Sequence, residues 1–411
     1  MKLTADLHSH SGYAGGVGAI ELKDIALTMQ YKGIDVYGTG DCLLPQRSNE
    51  LKNQLIYCHN GLYKIKENSK ANFLLQTEII LTTKSQSVNA KNKLMAHHIV
   101  LFPDFESIEK MQSKMIKLKQ KNTIGRPYIA TDCRDRLVDI LFEIKNIHPL
   151  IEIIPAHVVT PDGVMGSANR LYHPEEFYGD FFSEIHALET GLSADPGMLC
   201  EIEGLSHLTM LSFSDGHSSA LNRIGREFTV FDVNEISYAE IMNAIRKNKV
   251  LFTAEFMPEE GRYHLTGHRA DKQGHKEEIY FAGNPPKDYI CPICNKKMTP
   301  GVADWLKQLP KAKQKSKQNF IHLIPLIEVI AYGYKLKSIK SAKVHKTYFE
   351  ILQSFDTEMD LWQSSKEKIR LLLTKNIDIN IVNAIIKVKS QDFYYDPPGF
   401  DGNYGKLKIN I

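Results

Sequence analysis

Leu3-Thr-Ala-Asp-Leu-His-Ser-His10 is the stretch on which the fold turns. Its apolar positions read as a strand over Leu3 to Leu7, and two imidazoles, His8 and His10, stand where that strand ends. In an α/β barrel the residues at the C-terminal ends of the strands meet at one mouth and carry the chemistry. Working outward, the arrangement recurs. Further strands are expected at Ile34 to Thr39, Phe73 to Thr77, His98 to Phe102, Ile151 to Pro155, Ile185 to Leu188 and Leu208 to Phe213. Beside them stand Asp41 in Gly-Thr-Gly-Asp, Glu78, His98, His157 in Ile-Pro-Ala-His, and Asp215 with His217 in Ser-Asp-Gly-His. Between strands, Leu22, Ile25, Ala26 and Met29 have helical spacing with Gly33 as a stop. A last helix starts at Ser237, with Glu240 completing a capping box. The expected fold is α/β, a barrel of seven strands occupying 1–253, with a parallel sheet implied by the alternation.

The rest of the chain differs in character. Residues 254–303 are rich in Gly, Pro, His and charge, too poor in apolar runs for a core of their own, and so are expected to need a metal. From 304 to 411 helical periodicity returns, and the chain closes on a Pro/Gly turn and a short strand-like end. Forty-three per cent hydrophobic and 24 % charged residues describe a soluble globular protein of 411 residues. The N-terminus lacks a basic region followed by an apolar stretch, and no run spans a bilayer, so neither secretion nor a membrane partner is expected. Six scattered cysteines, with only Cys291 and Cys294 closely spaced, argue against a disulfide framework and for a cytoplasmic location. The net charge of +3 is small, yet ten lysines and a single acidic residue, Glu328, lie between Lys307 and Lys346. Such a local positive surface suits a polyanion.

Eight nitrogen and oxygen donors, His8, His10, Asp41, Glu78, His98, His157, Asp215 and His217, suit two or three divalent ions such as zinc, manganese or magnesium. Ions about 3.5–4 Å apart hold both the attacking and leaving oxygens of an in-line phosphoryl displacement, and zinc brings the pKa of a water near 7. Glu78 is the natural bridging carboxylate, Asp215 can ligate and orient the nucleophile, and His157 joins them as the third catalytic candidate. A lone His-x-His is weak evidence; a full set at strand ends is not. His97 competes with His98, because alternation on a strand lets one of them point inward. Glu189 is open to a supporting role or to that of a solvated turn residue. Arg223 and Arg226 are candidates for a phosphate clamp, with plain helix-surface arginines as the alternative.

These residues resemble the polymerase-and-histidinol-phosphatase (PHP) superfamily, through His8-x-His10, Thr39-Gly-Asp41, Glu78, His98, His157 and Asp215-x-His217. Within it the chain is similar, nearly end to end, to the endonuclease Q family. The segments that carry this are Gly38-Thr-Gly-Asp41, Pro155-Ala-His157, Glu189-Thr-Gly-Leu-Ser193, Gly261-Arg-Tyr-His264, Cys291-Pro-Ile-Cys294 and Pro398-Gly-Phe-Asp-Gly-Asn-Tyr-Gly405. The resemblance implies a distorted seven-stranded barrel, a small zinc-binding module and a C-terminal helical domain. It also implies cleavage of DNA on the 5′ side of a deaminated base (uracil, hypoxanthine, xanthine) or an abasic site. Two departures stand out. Cys42-Leu-Leu-Pro45 follows Asp41 where the resemblance places a histidine before the proline, and His268-Arg-Ala-Asp271 occupies the place of a second cysteine pair.

In the module, Cys291 and Cys294 have the spacing of a zinc knuckle, and His268 and Asp271 are expected to complete four ligands, with His264 or His275 as substitutes for the aspartate. Lys311, Lys313, Lys315 and Lys317 are expected to track a phosphate backbone, though a lysine run is commonly a solvated face. Phe400 and Tyr404, among glycines, are expected to hold an extruded base. Two other functions compete: a small-molecule phosphatase on the same barrel, and a DNA-binding protein with a degenerate one. The first has no use for the residues beyond the barrel, and the full donor set argues against the second.

Overall fold

The computed structural model describes residues 1–15, 17–66, 68–85, 93–122, 126–271, 274–315 and 317–411. Eight strands form the barrel: β1 (Lys2–Asp6), β2 (Val36–Gly38), β3 (Asn68–Lys84), β4 (Lys93–Phe102), β5 (Glu152–Pro155), β6 (Ala187–Glu189), β7 (Thr209–Leu211) and β8 (Phe228–Asp232). The expected strands are all present, and the expected parallel sheet is mixed. β1, β2 and β3 are parallel, as are β6 and β7. β3 against β4, β4 against β5, and β1 against β8 are antiparallel. The reason lies in chain length: β3 and β4 are far longer than the apolar runs that announced them, and pair antiparallel down to Lys84 and Lys93, too few residues apart for a parallel crossover. Two hydrogen bonds stitch the open seams, Val158 N–H to the Glu189 carbonyl (3.0 Å) and Ser212 N–H to Thr229 Oγ1 (3.0 Å).

Alternation along each strand builds two cores. Leu3, Ala5, Leu74, Ile99, Leu101, Ile154 and Phe231 fill the barrel interior, where Ile241, Met242, Ala244 and Ile245 of the helix Tyr238–Arg246 plug one end. The opposite faces, such as Phe73, Leu75, Val100 and Phe102, pack outward into a larger core that takes in the C-terminal helices. Each fully buried Leu, Ile or Phe contributes about 1.5–3 kcal/mol, so this double burial sets the barrel's rigidity. Gly33 ends the first helix, Leu22–Lys32, in the left-handed conformation (φ 78°), as the pattern predicts.

The chain after the barrel is tied back onto it. The strand β9 (Val250–Glu255) extends the sheet beside β8, and β10 (Phe320–His322) pairs with β9 in turn, so the sheet runs across the 253/254 boundary. Helices Leu326–Gly333, Ala342–Leu352, Glu358–Gln363, Lys366–Leu373 and Ile379–Lys389 follow. Lys32 and Glu358 form a buried ion pair (2.7 Å) between the first helix and this bundle, and Glu358 also accepts from Leu326 N–H and the Tyr348 hydroxyl. Removing one partner alone strands the other charge, at a cost of about 3–5 kcal/mol. No helix among the described residues is long and apolar enough to cross a membrane.

Candidate metal centre

The barrel mouth gathers buried imidazoles around two carboxylates. Glu78 reaches it because Leu74, Gln76 and Glu78 share one face of β3, and Leu74 belongs to the interior core. Its Oε1 lies 2.8 Å from His97 Nδ1, 3.4 Å from His157 Nε2 and 3.7 Å from His8 Nε2, while Oε2 lies 3.5 Å from His10 Nε2. Asp215 Oδ1 lies 3.3 Å from His10 Nε2, 3.7 Å from His8 Nε2 and 3.6 Å from His217 Nδ1. Three donor groups result, His8–His10–Glu78, His10–Asp215–His217 and Glu78–His97–His157. Donors about 2.0–2.2 Å from one tetrahedral ion stand about 3.3–3.6 Å from each other, so most of these gaps have the size an ion requires. His8 Nε2 is buried without a hydrogen-bond partner among the described residues, as a ligand nitrogen would be.

Supports behind the donors set their orientation. Glu189 accepts from His8 Nδ1 with one oxygen and from the His157 backbone N–H with the other, both at 2.8 Å. That fixes the His8 proton on Nδ1 and leaves the Nε2 lone pair facing the carboxylates. Asp41 does not join the donor groups, which corrects the expectation that it ligates: its Oδ2 accepts from the N–H and hydroxyl of Ser11 (2.7 and 2.6 Å), and its Oδ1 faces His10 Nδ1 at 3.4 Å. Asp41, His157 and Asp215 all have positive φ (53°, 32° and 46°), a strained backbone for non-glycine residues. Gly191 is required beside them, since a Cβ there would come within 2.4 Å of His157 Cβ.

Burial opposes charge on these groups; at His8, His10, Glu78 and Asp215 mutual attraction overrides it, whereas at His217 burial prevails and holds the imidazole below its usual value. Desolvation pulls His8 down, but Glu189, Asp215 and Glu78 push it up to about 9. His10 rises for the same reason, while Glu78 and Asp215 fall well below the carboxylate range, against burial, beside the imidazoles. Protons thus take the place of cations when none is bound, and cation binding must release them.

His98 is the second correction. It shares the outward face of β4 with Val100 and Phe102, donates or accepts at the Tyr178 hydroxyl (2.6 Å), and burial holds it near 3 and therefore neutral. His97, two residues before the interior Ile99, points inward instead. Parity with Ile99 and Leu101 selects it, but only the structure shows that those two, and not Val100 and Phe102, face inward.

A cleft of ≈ 210 Å³ opens over the cluster, with Arg126, Thr160, Leu192, Ser193, Arg262 and Tyr263 on its walls. Arg126 and Arg262 were not singled out as site residues; Arg262 lay within a family-like segment, Gly261 to His264, and Arg126 carried no signal. The Arg262 guanidinium lies 5.6 Å from the Tyr263 ring and 5.5 Å from that of Tyr404, which is 41 % exposed. Arg226 is buried, donates to the Ser214 carbonyl (2.8 Å) and lies over Phe256, so it braces the Asp215 loop and is no surface clamp. Arg223 is half-buried and does not line the cleft. Phe400 is packed in the small module, 5.0 Å from the Tyr280 ring, and has no free face for a base.

No lysine of the run lines the cleft. Lys315 pairs with Glu201, Lys311 stands 4.0 Å from the same carboxylate, and Gln318 bonds the backbone of Met210. Met210 enters β7 five residues before Asp215, roughly 16 Å of extended chain. Lys313 and Lys317 lie on the same segment.

In the module, four donors meet: His268, His275, Cys291 and Cys294. Cys291 Sγ is 3.4 Å from His275 Nε2 and Cys294 Sγ is 3.6 Å from His268 Nδ1, close to the ~3.5 Å that a shared tetrahedral zinc gives for sulfur and nitrogen. Asp271 is not among them; its side chain is 78 % exposed and faces Arg269. His275 holds its place, a thiolate site preferring imidazole to a hard carboxylate.

A mixed barrel with convergent imidazoles and carboxylates defines the class, a metal-dependent phosphoesterase of the PHP superfamily. No family model matches the sequence. The uncharacterized protein YqxK of Bacillus subtilis is 24 % identical over 99 % of both chains. The uncharacterized protein MJ0043 of Methanocaldococcus jannaschii is 30 % identical over 54 % of this chain and 28 % of its own length. Among solved structures, the lesion-specific endonuclease PfuEndoQ of Pyrococcus furiosus superposes with a TM-score of 0.81 at 26 % identity, covering 100 % of this chain and 96 % of that one. An endonuclease Q complex with a 27-mer duplex substrate carrying an abasic lesion at the active site gives 0.82 at 26 % identity, over 100 % and 97 %. Over its whole length the chain is similar to these endonuclease Q structures.

Proposed function

We propose that the protein is a metal-dependent DNA endonuclease that hydrolyses the phosphodiester 5′ to a deaminated base or an abasic site, in DNA repair. The observation that carries this reading is end-to-end likeness to two endonuclease Q structures, combined with a donor cluster open to a cleft. Two or three divalent ions, zinc, manganese or magnesium, are assigned to His8, His10, Glu78, His97, His157, Asp215 and His217, and a structural zinc to His268, His275, Cys291 and Cys294. Bound there, the ions supply positive charge to the phosphate oxygens and make water acidic enough to attack near neutral pH.

The chain's own residues do the rest. Glu78, with one oxygen toward His157 and the other toward His10, links the two sides of the mouth. Asp215, on its strained turn, aims a carboxylate at the same point. Arg126 and Arg262 line the cleft as phosphate-binding groups, and Tyr404, exposed beside Arg262, offers a ring for a displaced base. The test incubates the protein with manganese, magnesium or zinc and end-labelled oligonucleotides bearing uracil, hypoxanthine, xanthine, an abasic site or no lesion, then maps the break. A single ion-dependent break 5′ to the lesion is expected. Turnover of a small phosphomonoester with lesion DNA left intact would instead favour the phosphatase.

A further inference from the structure

Beyond Glu78 the strand β3 runs on to Lys84, about 20 Å past the donor cluster. β4 accompanies it from Lys93, and the short strand Tyr128–Ala130 joins it as well. Side chains alternate, so the face that carries Glu78 continues through Ile80, Thr82 and Lys84, and across the register through His97, Met95 and Lys93. The other face is closed, with Ile79, Leu81, Leu94 and Ala96 buried in the outer core. The Glu78 face opens toward its far end, where Met95, Lys84 and Lys93 are exposed. Tyr128 pairs with Ile80 and with Lys121, which puts Lys121 in the same cross-strand row as His97 of the cluster. Arg126, two residues before Tyr128, lines the cleft and so connects it with this arm.

Charge on the arm has one sign. From Ile79 to Pro103 and from Leu118 to Thr131 the sequence holds no aspartate or glutamate. Lys84, Lys93 and Lys121 are exposed and form no ion pair among the described residues, whereas Lys315 is held by Glu201. Lys84 stands directly opposite Lys93, and like charges so placed destabilise an antiparallel pair. Lys93 Nζ lies 5.7 Å from the Tyr128 ring centre. Burial raises the Tyr128 phenol, but hydrogen bonds with Thr82 and Lys93 and the charges of Lys93 and Lys121 outweigh it and leave it below its usual value, as an electropositive surface requires. A polyanion laid across this face relieves the repulsion.

We propose that the arm formed by the far ends of β3 and β4 with Lys121 and Tyr128 is a track for DNA outside the cleft, on which Lys84, Lys93 and Lys121 hold backbone phosphates of the duplex flanking the cleavage site. This rests on the DNA reading above. Because these lysines meet phosphates and no base, the track serves lesion-bearing and lesion-free DNA alike.

The test compares the full chain with two triple variants that remove the same charge: Lys84→Gln, Lys93→Gln, Lys121→Gln on the arm, and Lys313→Gln, Lys315→Gln, Lys317→Gln on the lysine run. Fluorescence anisotropy gives the affinity for an abasic duplex and for the same duplex without a lesion, over a series of salt concentrations. In the arm variant the slope of log affinity against log salt is expected to fall by about 2.7, or 0.9 for each lost phosphate contact, on both duplexes, and to stay as it was in the other. An unchanged slope in the arm variant, or equal falls in both, overturns the proposal. The free arm variant is also expected to melt no lower than the unaltered chain, since a like-charge pair has been removed; a lower melting temperature would make the lysines part of the fold and overturns it too. Cleavage by the unaltered chain is measured alongside. A fallen arm slope without lesion cleavage refutes the endonuclease and leaves the track standing; cleavage with an unchanged slope refutes the track alone, and absence of DNA binding by the unaltered chain refutes both.

Discussion

Glu189→Gln probes the arrangement most directly, because one carboxylate holds two members of the cluster. Its oxygens accept from His8 Nδ1 and from the His157 backbone N–H, both at 2.8 Å, and the side chain is 1 % exposed. Glutamine has nearly the same shape but one acceptor and one donor end. If its oxygen stays on His157, its NH₂ meets His8 Nδ1, which must then give up its proton; the tautomer moves the hydrogen to Nε2 and removes the ligand lone pair. If the oxygen turns to His8, the NH₂ meets the His157 N–H and two donors oppose. Either way one charge-assisted bond of about 1.5–3 kcal/mol is lost. Changes in groups that hold metal ligands cost about 10–100-fold in metal affinity. Chelator-competition titration with zinc is therefore expected to show affinity weaker by that factor, with cleavage of abasic DNA partly recovered at saturating ion. Unchanged zinc affinity in a folded variant would refute the claim that Glu189 orients His8.

Other expectations follow from the same geometry. Asp215→Asn keeps a residue that tolerates the positive φ of this turn but removes a charge facing His8 and His10; cleavage is expected to fall by about 100-fold or more while lesion-DNA affinity changes little, and equal loss of both would count against that division. Arg262→Ala is expected to weaken DNA binding and lower the slope of log affinity against log salt by about one, whereas Lys315→Ala, already paired with Glu201, leaves the slope unchanged; the reverse pattern would restore the lysine run as the phosphate track. Burial pushes Glu255 up to about 8, against hydrogen bonds from Thr190 and Ser212 and beside Glu227. A carboxyl raised in the folded state stabilises most below its unfolded value, near 4.5, and that contribution is lost as pH rises through about 8. Chemical denaturation at pH 5 and pH 9 is thus expected to show a larger loss of stability for the unaltered chain than for Glu255→Gln, by a few kcal/mol at most; parallel losses would mean Glu255 is ionised throughout.

Much of this molecule was written in local pattern. His8 and His10 at the end of an apolar run, Gly33 as a helix stop, Ser237 with Glu240 as a cap, and the Cys291–Cys294 knuckle each follow from a few neighbouring residues, so short-range chemistry sufficed. The rest depended on partners far apart in the chain. That β3 and β4 pair as a long hairpin, that Asp41 is consumed by Ser11, that His275 replaces Asp271 beside the thiolates, and that Phe400 is walled in by Tyr280 are facts of three-dimensional proximity. The lysines show the limit most clearly: composition made them a phosphate surface, while the pairing of Gln318 with Met210 and of Lys315 with Glu201 sets them along the side of the barrel. Sequence determined which residue types exist to bind cations and roughly where the barrel strands lie. Tertiary structure alone decided which lone pairs point at a common centre, because orientation is set by burial and by hydrogen bonds from residues that no local spacing brings together.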